Sequence, residues 1–252
     1  MDDAYEMLEY LPIEDVEVND YVRPLFNSAL ATYEKAEYQF SYFAMHLIFM
    51  TYIYLTVWKI SQYHKDNYEH SLLFARPYNG KEVDFREIKT IFDYSHLPEK
   101  DIFEFFALID MDNGYIKSTK KLIDYRNEMA HATGKIEITS EEKFNLAISE
   151  ILSVTVKIHE KLSSTIREWY RDELLYYAEN ELSEEFESTL DYITNIFINK
   201  YSFSQKEFLV CKEFGLNKLK HRDESGLTVE KIARIVEFHE SVKEKYAEVV
   251  GE

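Results

Sequence analysis

The stretch from Arg126 to Ala132 reads Arg-Asn-Glu-Met-Ala-His-Ala, and three of its side chains suit chemistry on a phosphate ester. Arg126 offers a permanent cation with a fork of donors for phosphate oxygens, a histidine such as His131 can take up or release a proton near neutral pH, and Asn127 can orient a ring or a hydroxyl. On a helix, Asn127 and His131 share one face because they are four positions apart, and the long side chain of Arg126 reaches the same side. The spacing predicts a catalytic set that would cleave RNA without a metal ion.

The stretch is expected to occupy the last turns of a helix that begins at Ser118. An apolar stripe within this segment favours the helix, and Thr133-Gly134 is a suitable C-cap. The stripe consists of Leu122, Ile123, Tyr125, Met129 and Ala130.

The composition predicts an all-α fold. The chain of 252 residues is 46% hydrophobic, which is ample for a core, but it contains only 6 Gly and 4 Pro, which leaves little turn chemistry for a sheet. A helix from about Leu25 to His64 is apolar on nearly every side and is expected at the centre of the bundle. The other expected helices are 84–94, 99–109, one starting at the capping box Thr139–Glu142 and continuing to about Ala178, 183–200, one capped by Ser204 with Glu207, and 227–249.

These elements divide the chain into three expected segments. Residues 1–24 form an acidic N-terminal arm, residues 25–165 a helical bundle, and residues 166–252 a C-terminal helical extension or subdomain. The arm contains no Lys or Arg up to Asp20, and we interpret it as a disordered solubilising tail. The alternative is an autoinhibitory arm that mimics RNA and covers the site.

The net charge of −18 argues against a broad surface for polyanions, so any RNA binding must be local. A local excess of basic residues does surround the candidate site. We interpret it as a guide for an RNA strand, with Tyr125 as a base-stacking platform or, alternatively, as a packed core residue. The basic residues are Lys117, Lys120, Lys121, Arg126 and Lys135.

No metal, cofactor or membrane is expected for this chain. Its single cysteine, Cys211, excludes a disulfide framework and a zinc site built on Cys pairs, and favours a cytoplasmic location. The segment Tyr42–Trp58 falls short of a membrane span and is interpreted as a core helix. His46 within it is interpreted as a core histidine with satisfied hydrogen bonds.

The spacing Arg126-Asn127-x-x-x-His131 resembles the signature of the HEPN superfamily (higher eukaryotes and prokaryotes nucleotide-binding domains). A long central helix, a site helix and a long following helix, over roughly Leu25 to Leu162, resemble that family's bundle as well. The structural alternative is a surface arginine with a histidine stabilised by the C-terminal dipole of its helix.

The resemblance implies a metal-independent endoribonuclease, active as a homodimer that brings two site helices to one cleft, in a prokaryotic defence or toxin context. His131 would act as general acid or base, Arg126 would stabilise the transition state, and Asn127 would orient either His131 or the phosphate. A toxin branch of the family carries a Tyr two residues after the His, where this chain has Thr133. An activating or inhibiting partner outside this sequence is also expected. The competing readings are a non-catalytic HEPN module that serves as a binding scaffold for another enzyme, and a helical interaction protein with a fortuitous motif.

Overall fold

The computed structural model describes residues 1–75, 83–131, 136–180, 182–220 and 228–251. The structure is 78% helical and its described residues contain no β-strand, which confirms the all-α fold. The α-helices are α1 (Asp2–Leu8), α2 (Val16–Glu34), α3 (Tyr38–Tyr63), α4 (Lys65–Ser71), α5 (Glu99–Ile102), α6 (Asn113–Ala130), α7 (Glu141–Glu179), α8 (Thr189–Ile193), α9 (Gln205–Lys212), α10 (Asn217–Lys220) and α11 (Val229–Val250). Within the described residues, 3₁₀ helices span Leu72–Phe74, Ile91–His96 and Phe103–Ile109.

The chain divides into two compact units. The first comprises Met1–Leu8 and Glu17–Leu162, and the second comprises Glu9–Val16 and Ser163–Glu252. Helix α7 contributes residues to both.

The expected helix from Leu25 to His64 is two helices, α2 and α3. Ala36 between them adopts a left-handed conformation (φ 58°). The Glu37 N–H donates to the Thr32 carbonyl (2.8 Å) and the Ala36 N–H to the Tyr33 carbonyl (2.9 Å), which together form a Schellman ending. The chain therefore turns between α2 and α3 where the sequence predicted one continuous helix.

Helix α3 is the core of the first unit. It packs against α4, α5, α6 and the 3₁₀ helices Ile91–His96 and Phe103–Ile109. Among the described helices it alone is long and apolar enough to cross a membrane, but 83% of its most apolar stretch is buried inside the protein. This burial is what the core helix of a soluble protein shows.

The N-terminal residues are helical, so the expected disordered tail is wrong for α1 and for the start of α2. Ala4 and Met7 of α1 are fully buried. The Thr155 hydroxyl donates to the Met7 sulfur (3.3 Å), which ties α1 to α7 within the first unit.

Helix α6 begins five residues before the expected Ser118. The Asp112 carboxylate caps it by accepting from the N–H groups of Gly114 (2.8 Å) and Tyr115 (3.0 Å). The expected C-cap at Thr133-Gly134 lies outside the described residues.

The second unit is built on aromatic packing. Phe197, Phe203 and Phe238 are fully buried, and α11 packs against α8 and α9. Ser188, and not the expected Ser183, caps α8, and the chain continues from α8 as a π-helix over Thr194–Lys200. The expected capping box of Ser204 with Glu207 is confirmed at the start of α9.

Candidate functional site

Arg126 lies on the buried face of α6. Thr119, Leu122 and Met129 are also buried, and this i, i+3, i+7, i+10 spacing places Arg126 in the same stripe. Its side chain is 23% exposed and forms an ion pair with Glu99 of α5. The guanidinium Nε is buried and has no hydrogen-bond partner in the part of the chain that the structure describes. Arg126 is therefore held inward, toward α5.

A cavity of about 790 Å³ opens beside this arginine, and we call it the Arg126 cavity. Its volume is within the range of small-molecule sites. Tyr21 and Phe92 pack edge to face in its wall with their ring centroids 4.9 Å apart. The lining residues are Tyr21, Leu47, Met50, Thr51, Tyr54, Phe92, Ser95, Leu97, Pro98, Glu99, Lys100, Asp101, Ile123, Arg126 and Asn127.

Asn127 contributes to the same wall because it follows Ile123 by one helical turn. His131 lies a further turn on, where the helix has ended. Its backbone is extended (φ −76°, ψ 147°), and its N–H donates to the Asn127 carbonyl (3.1 Å). His131 is exposed and is not among the described residues that line the Arg126 cavity. The structure thus brings Arg126 and Asn127 together and places His131 outside the cavity, at the C-terminus of α6.

Three ion pairs join the segment Glu99–Ile109 to α6. Glu99 binds Arg126, Lys100 binds Asp124, and Glu104 binds Lys120. Sequence reasoning missed Glu99, Lys100 and Glu104 because no spacing within the chain relates them to α6. Their presence means that part of the local basic excess is already neutralised.

The other residues that we expected to contact RNA lie in different environments. Lys117 and Lys121 are exposed on α6, and Lys135 lies outside the described residues. Tyr125 is half-buried and packs edge to face against Tyr42, with ring centroids 5.8 Å apart. This contact favours the packing interpretation of Tyr125 over the base platform.

Two buried polar side chains of α3 lie behind Arg126. His46 is 1% exposed and Tyr42 is fully buried. Among the described residues, neither ring nitrogen of His46 nor the Tyr42 hydroxyl has a hydrogen-bond partner. His46 is thus a core residue, as expected, but the described residues do not satisfy its hydrogen bonds.

Burial, and then the positive charge of Arg126, lowers the pKa of His46 to about 3. The ring is therefore neutral at physiological pH, which excludes His46 as a proton donor there. Burial likewise raises the pKa of Tyr42, with Arg126 opposing the shift. In both cases the charge of Arg126 disfavours or favours a charged form: it lowers the pKa of His46 and opposes the rise at Tyr42.

The described residues contain no group of three or more His, Cys, Asp or Glu side chains placed to hold a metal ion. They do place the guanidinium of Arg126 and the amide of Asn127 in one cavity wall, and the exposed imidazole of His131 one turn further along the chain. Such a set can bind a phosphodiester and move a proton.

No family model matches the chain, and comparisons with curated proteins and with solved structures also find no match. Only the residues Arg126, Asn127 and His131 and their geometry therefore point to a function.

Proposed function

We propose that this protein is an endoribonuclease of the HEPN type that cleaves RNA without a metal ion. The observation that carries the proposal is the arrangement of the motif. Arg126 and Asn127 line a cavity of about 790 Å³ in the first unit, and the next turn of the chain presents an accessible His131.

In the proposed reaction the ribose 2′-hydroxyl oxygen attacks the adjacent phosphorus. A bond forms between phosphorus and the 2′ oxygen, and the bond to the 5′ oxygen of the next nucleotide breaks. His131 takes the 2′ proton while water protonates the departing 5′ oxygen, or it protonates the 5′ oxygen while water accepts the 2′ proton. Arg126 stabilises the negative charge on the phosphorane-like transition state. The products are a 2′,3′-cyclic phosphate and a 5′-hydroxyl. Asn127 would orient His131 or the phosphate.

The ion pair with Glu99 makes this a resting arrangement. A phosphate that binds Arg126 must displace or share the Glu99 carboxylate, because both compete for the same guanidinium donors. The contact is a ready point of control for the activating or inhibiting partner that we propose.

A homodimer would complete the site. His131 is exposed, so a second copy of α6 can approach it. Phe40 and Leu47 of α3 are seven residues apart on one helix face and are 57% and 42% exposed, respectively, although most of α3 is buried. Leu47 also lines the Arg126 cavity. This apolar stripe beside the motif supports a dimer in which each chain contributes half of the catalytic groups.

We place this activity in the cytoplasm, in a defence or toxin context, as the family resemblance implies. The buried, free thiol of Cys211 fits a reducing compartment. Lys117 and Lys121, exposed on α6, would guide the RNA strand in an otherwise acidic protein.

A non-catalytic HEPN module, which would serve as a scaffold or bind a small ligand, is the second candidate. It is favoured by the ion pair that occupies Arg126 and by the position of His131 outside the cavity. In that case the cavity would bind its ligand without cleaving it.

The test compares RNA cleavage by wild type, Arg126→Ala and His131→Ala proteins in the presence of EDTA. His70→Ala is the matched control, because His70 is another exposed histidine of the first unit. We expect cleavage by wild type and the control, and a loss of about 10²-fold or more in His131→Ala. RNA bound but left intact by all four proteins would favour the non-catalytic module.

A further inference from the structure

A second cavity, in the second unit, has walls of a different kind. It has a volume of about 360 Å³, and four aromatic side chains line it, namely Tyr176, Tyr177, Phe186 and Tyr192. We call it the Tyr192 cavity. The Phe186 and Tyr192 rings are nearly perpendicular (86°) with centroids 5.0 Å apart, and the Tyr177 ring lies 5.9 Å from that of Tyr192. The faces of aromatic rings are electron-rich and attract cations.

A carboxylate lies in the same wall. Glu173 lines the cavity and accepts a hydrogen bond from the Tyr192 hydroxyl. Burial raises the pKa of Glu173, and the Tyr192 hydrogen bond and the charge of Lys200 oppose the shift. The hydroxyl is a neutral donor, so it orients the carboxylate without cancelling its charge.

Lys200 is the basic residue that lines this cavity. Its side chain is exposed, and its ammonium group lies 5.1 Å from the centroid of the Tyr201 ring. Because a solvated ammonium is screened, Lys200 offsets the charge of Glu173 only in part. Glu185 lines the cavity as well, so the wall carries a net negative charge.

The backbone of the wall is also unusual. Ile196 and Lys200 belong to the π-helix Thr194–Lys200. Such helices are rare and occur frequently at functional sites, because their wider turn changes the direction of the side chains. One ring of the cavity already attracts a cation, since the Arg234 guanidinium lies 5.2 Å from the centroid of Tyr177.

We propose that the Tyr192 cavity binds a small organic ammonium ion, with the cationic head between Tyr176, Phe186 and Tyr192 and its charge facing Glu173. Aromatic walls with one carboxylate favour an alkylated, weakly hydrated ammonium over a bare ion, because methyl groups contact the rings while the charge remains. The volume, near the lower end for ligand sites, fits a group of that size. This site is independent of the proposed RNA cleavage.

Calorimetric titration of the full chain with choline tests the proposal. The matched probe is 3,3-dimethyl-1-butanol, which has the shape of choline with carbon in place of the charged nitrogen. We expect choline to bind at least about tenfold more tightly than this neutral analogue. Equal binding of the two compounds, or no binding of choline by the folded protein, would overturn the proposal.

Two substitutions locate the site. Glu173→Gln should weaken choline binding about tenfold by removing the counter-charge, and Tyr176→Leu should weaken it several-fold by removing a ring. Tyr176 is 58% exposed, so its replacement leaves the core intact, and Tyr5→Leu, at a 51% exposed tyrosine of the first unit, is the control. Unchanged choline binding in both Glu173→Gln and Tyr176→Leu would place the ligand elsewhere and overturn the assignment.

The same cation can be presented by a free molecule or by a protein side chain. Titration with a short peptide containing trimethyllysine separates these sources. Tighter binding of the peptide than of choline would identify a methylated lysine as the ligand, and tighter binding of choline would identify a free compound.

Discussion

The Arg126 cavity and the Tyr192 cavity both hold a partly buried charge, but they balance it differently. Arg126 forms an ion pair with Glu99, whereas Glu173 accepts a hydrogen bond from the neutral hydroxyl of Tyr192 and its charge is offset only in part by the exposed Lys200. A ligand of the first cavity must therefore compete with Glu99 for the charge of Arg126. A cationic ligand of the second cavity can approach Glu173 without displacing a hydrogen-bonded counter-ion. The first cavity also lacks His131 in its wall, whereas the second has its charged and aromatic groups in one place.

A charged residue in a cavity is therefore not always free to bind a ligand. If the residue already has a charged partner, the ligand must displace that partner. The Glu99 ion pair can thus regulate ligand binding in the first cavity, whereas the second cavity can bind a cation directly.

Replacing Arg126 should give the largest effect, because it removes the charged group of the first cavity. Arg126→Ala removes the cation that stabilises the transition state and leaves Glu99 without its counter-ion. We expect cleavage to fall by about 10²-fold or more, and stability to fall by about 1–3 kcal/mol. Cleavage rates and urea unfolding measure the two effects, with the exposed Arg23→Ala as control. Retained cleavage would exclude Arg126 from the site.

Disrupting the proposed dimer should affect only the Arg126 cavity. Phe40→Glu puts a charge in the apolar stripe and should weaken the dimer about 30-fold, which lowers cleavage at low protein concentration. Choline binding should be unchanged. Sedimentation gives the dimer constant, and Leu146→Glu, at a residue 72% exposed on α7, is the matched control. Equal effects of the two substitutions would contradict an interface at Phe40.

The buried His46 should make the first unit sensitive to acid. Its pKa is lowered in the folded state, so the unfolded chain binds more protons between about pH 6.5 and pH 3. The contribution of His46 is therefore fully present above that window and is lost as pH falls through it. At pH 5.5 the loss should be on the order of 1 kcal/mol, or about tenfold in the unfolding equilibrium.

His46→Leu should remove that part of the acid dependence. The measurement is urea unfolding of wild type and variant between pH 5.5 and pH 7.5. His239, a buried histidine of the second unit, is the comparison: burial lowers its pKa as well, but its Nδ1 is hydrogen-bonded to the Tyr170 hydroxyl (2.8 Å). An identical pH dependence in wild type and His46→Leu would contradict this account of His46.

Removing the counter-charge of Arg126 should give the smallest effect of these substitutions. Glu99→Gln keeps the shape of the side chain but removes the competing charge, and we expect RNA binding to tighten about three- to fivefold. Filter binding measures the affinity, and Glu160→Gln, which breaks the exposed ion pair with Lys157 on α7, is the control. A loss of cleavage as large as that of Arg126→Ala would show that Glu99 positions the arginine.

Much of the fold could be predicted because its signals are local. Apolar periodicity identified the long helices, and the Ser204 capping box is a contact between residues three apart. The turn at Ala36 could not be predicted in the same way. An alanine in a left-handed conformation carries no glycine signal, and its Schellman bonds form only after the chain has turned.

The site was predictable only in its local part. Asn127 and His131 follow from helical spacing, although the end of α6 at Ala130 directs the chain away before His131 can line the cavity. Glu99, Tyr42 and the aromatic wall of the cavity come from distant parts of the chain. Only tertiary packing brings them to Arg126, so no spacing in the sequence could reveal them.

The most direct test of the central claim is analysis of product ends by mass spectrometry. An oligoribonucleotide is treated in EDTA with wild type or His131→Ala protein, and a second oligonucleotide carries one 2′-deoxy residue at the mapped cleavage position. The account predicts 2′,3′-cyclic phosphate and 5′-hydroxyl ends from wild type alone, and no cleavage at the 2′-deoxy position. Equal cleavage by His131→Ala, or cleavage at the 2′-deoxy position, would contradict it.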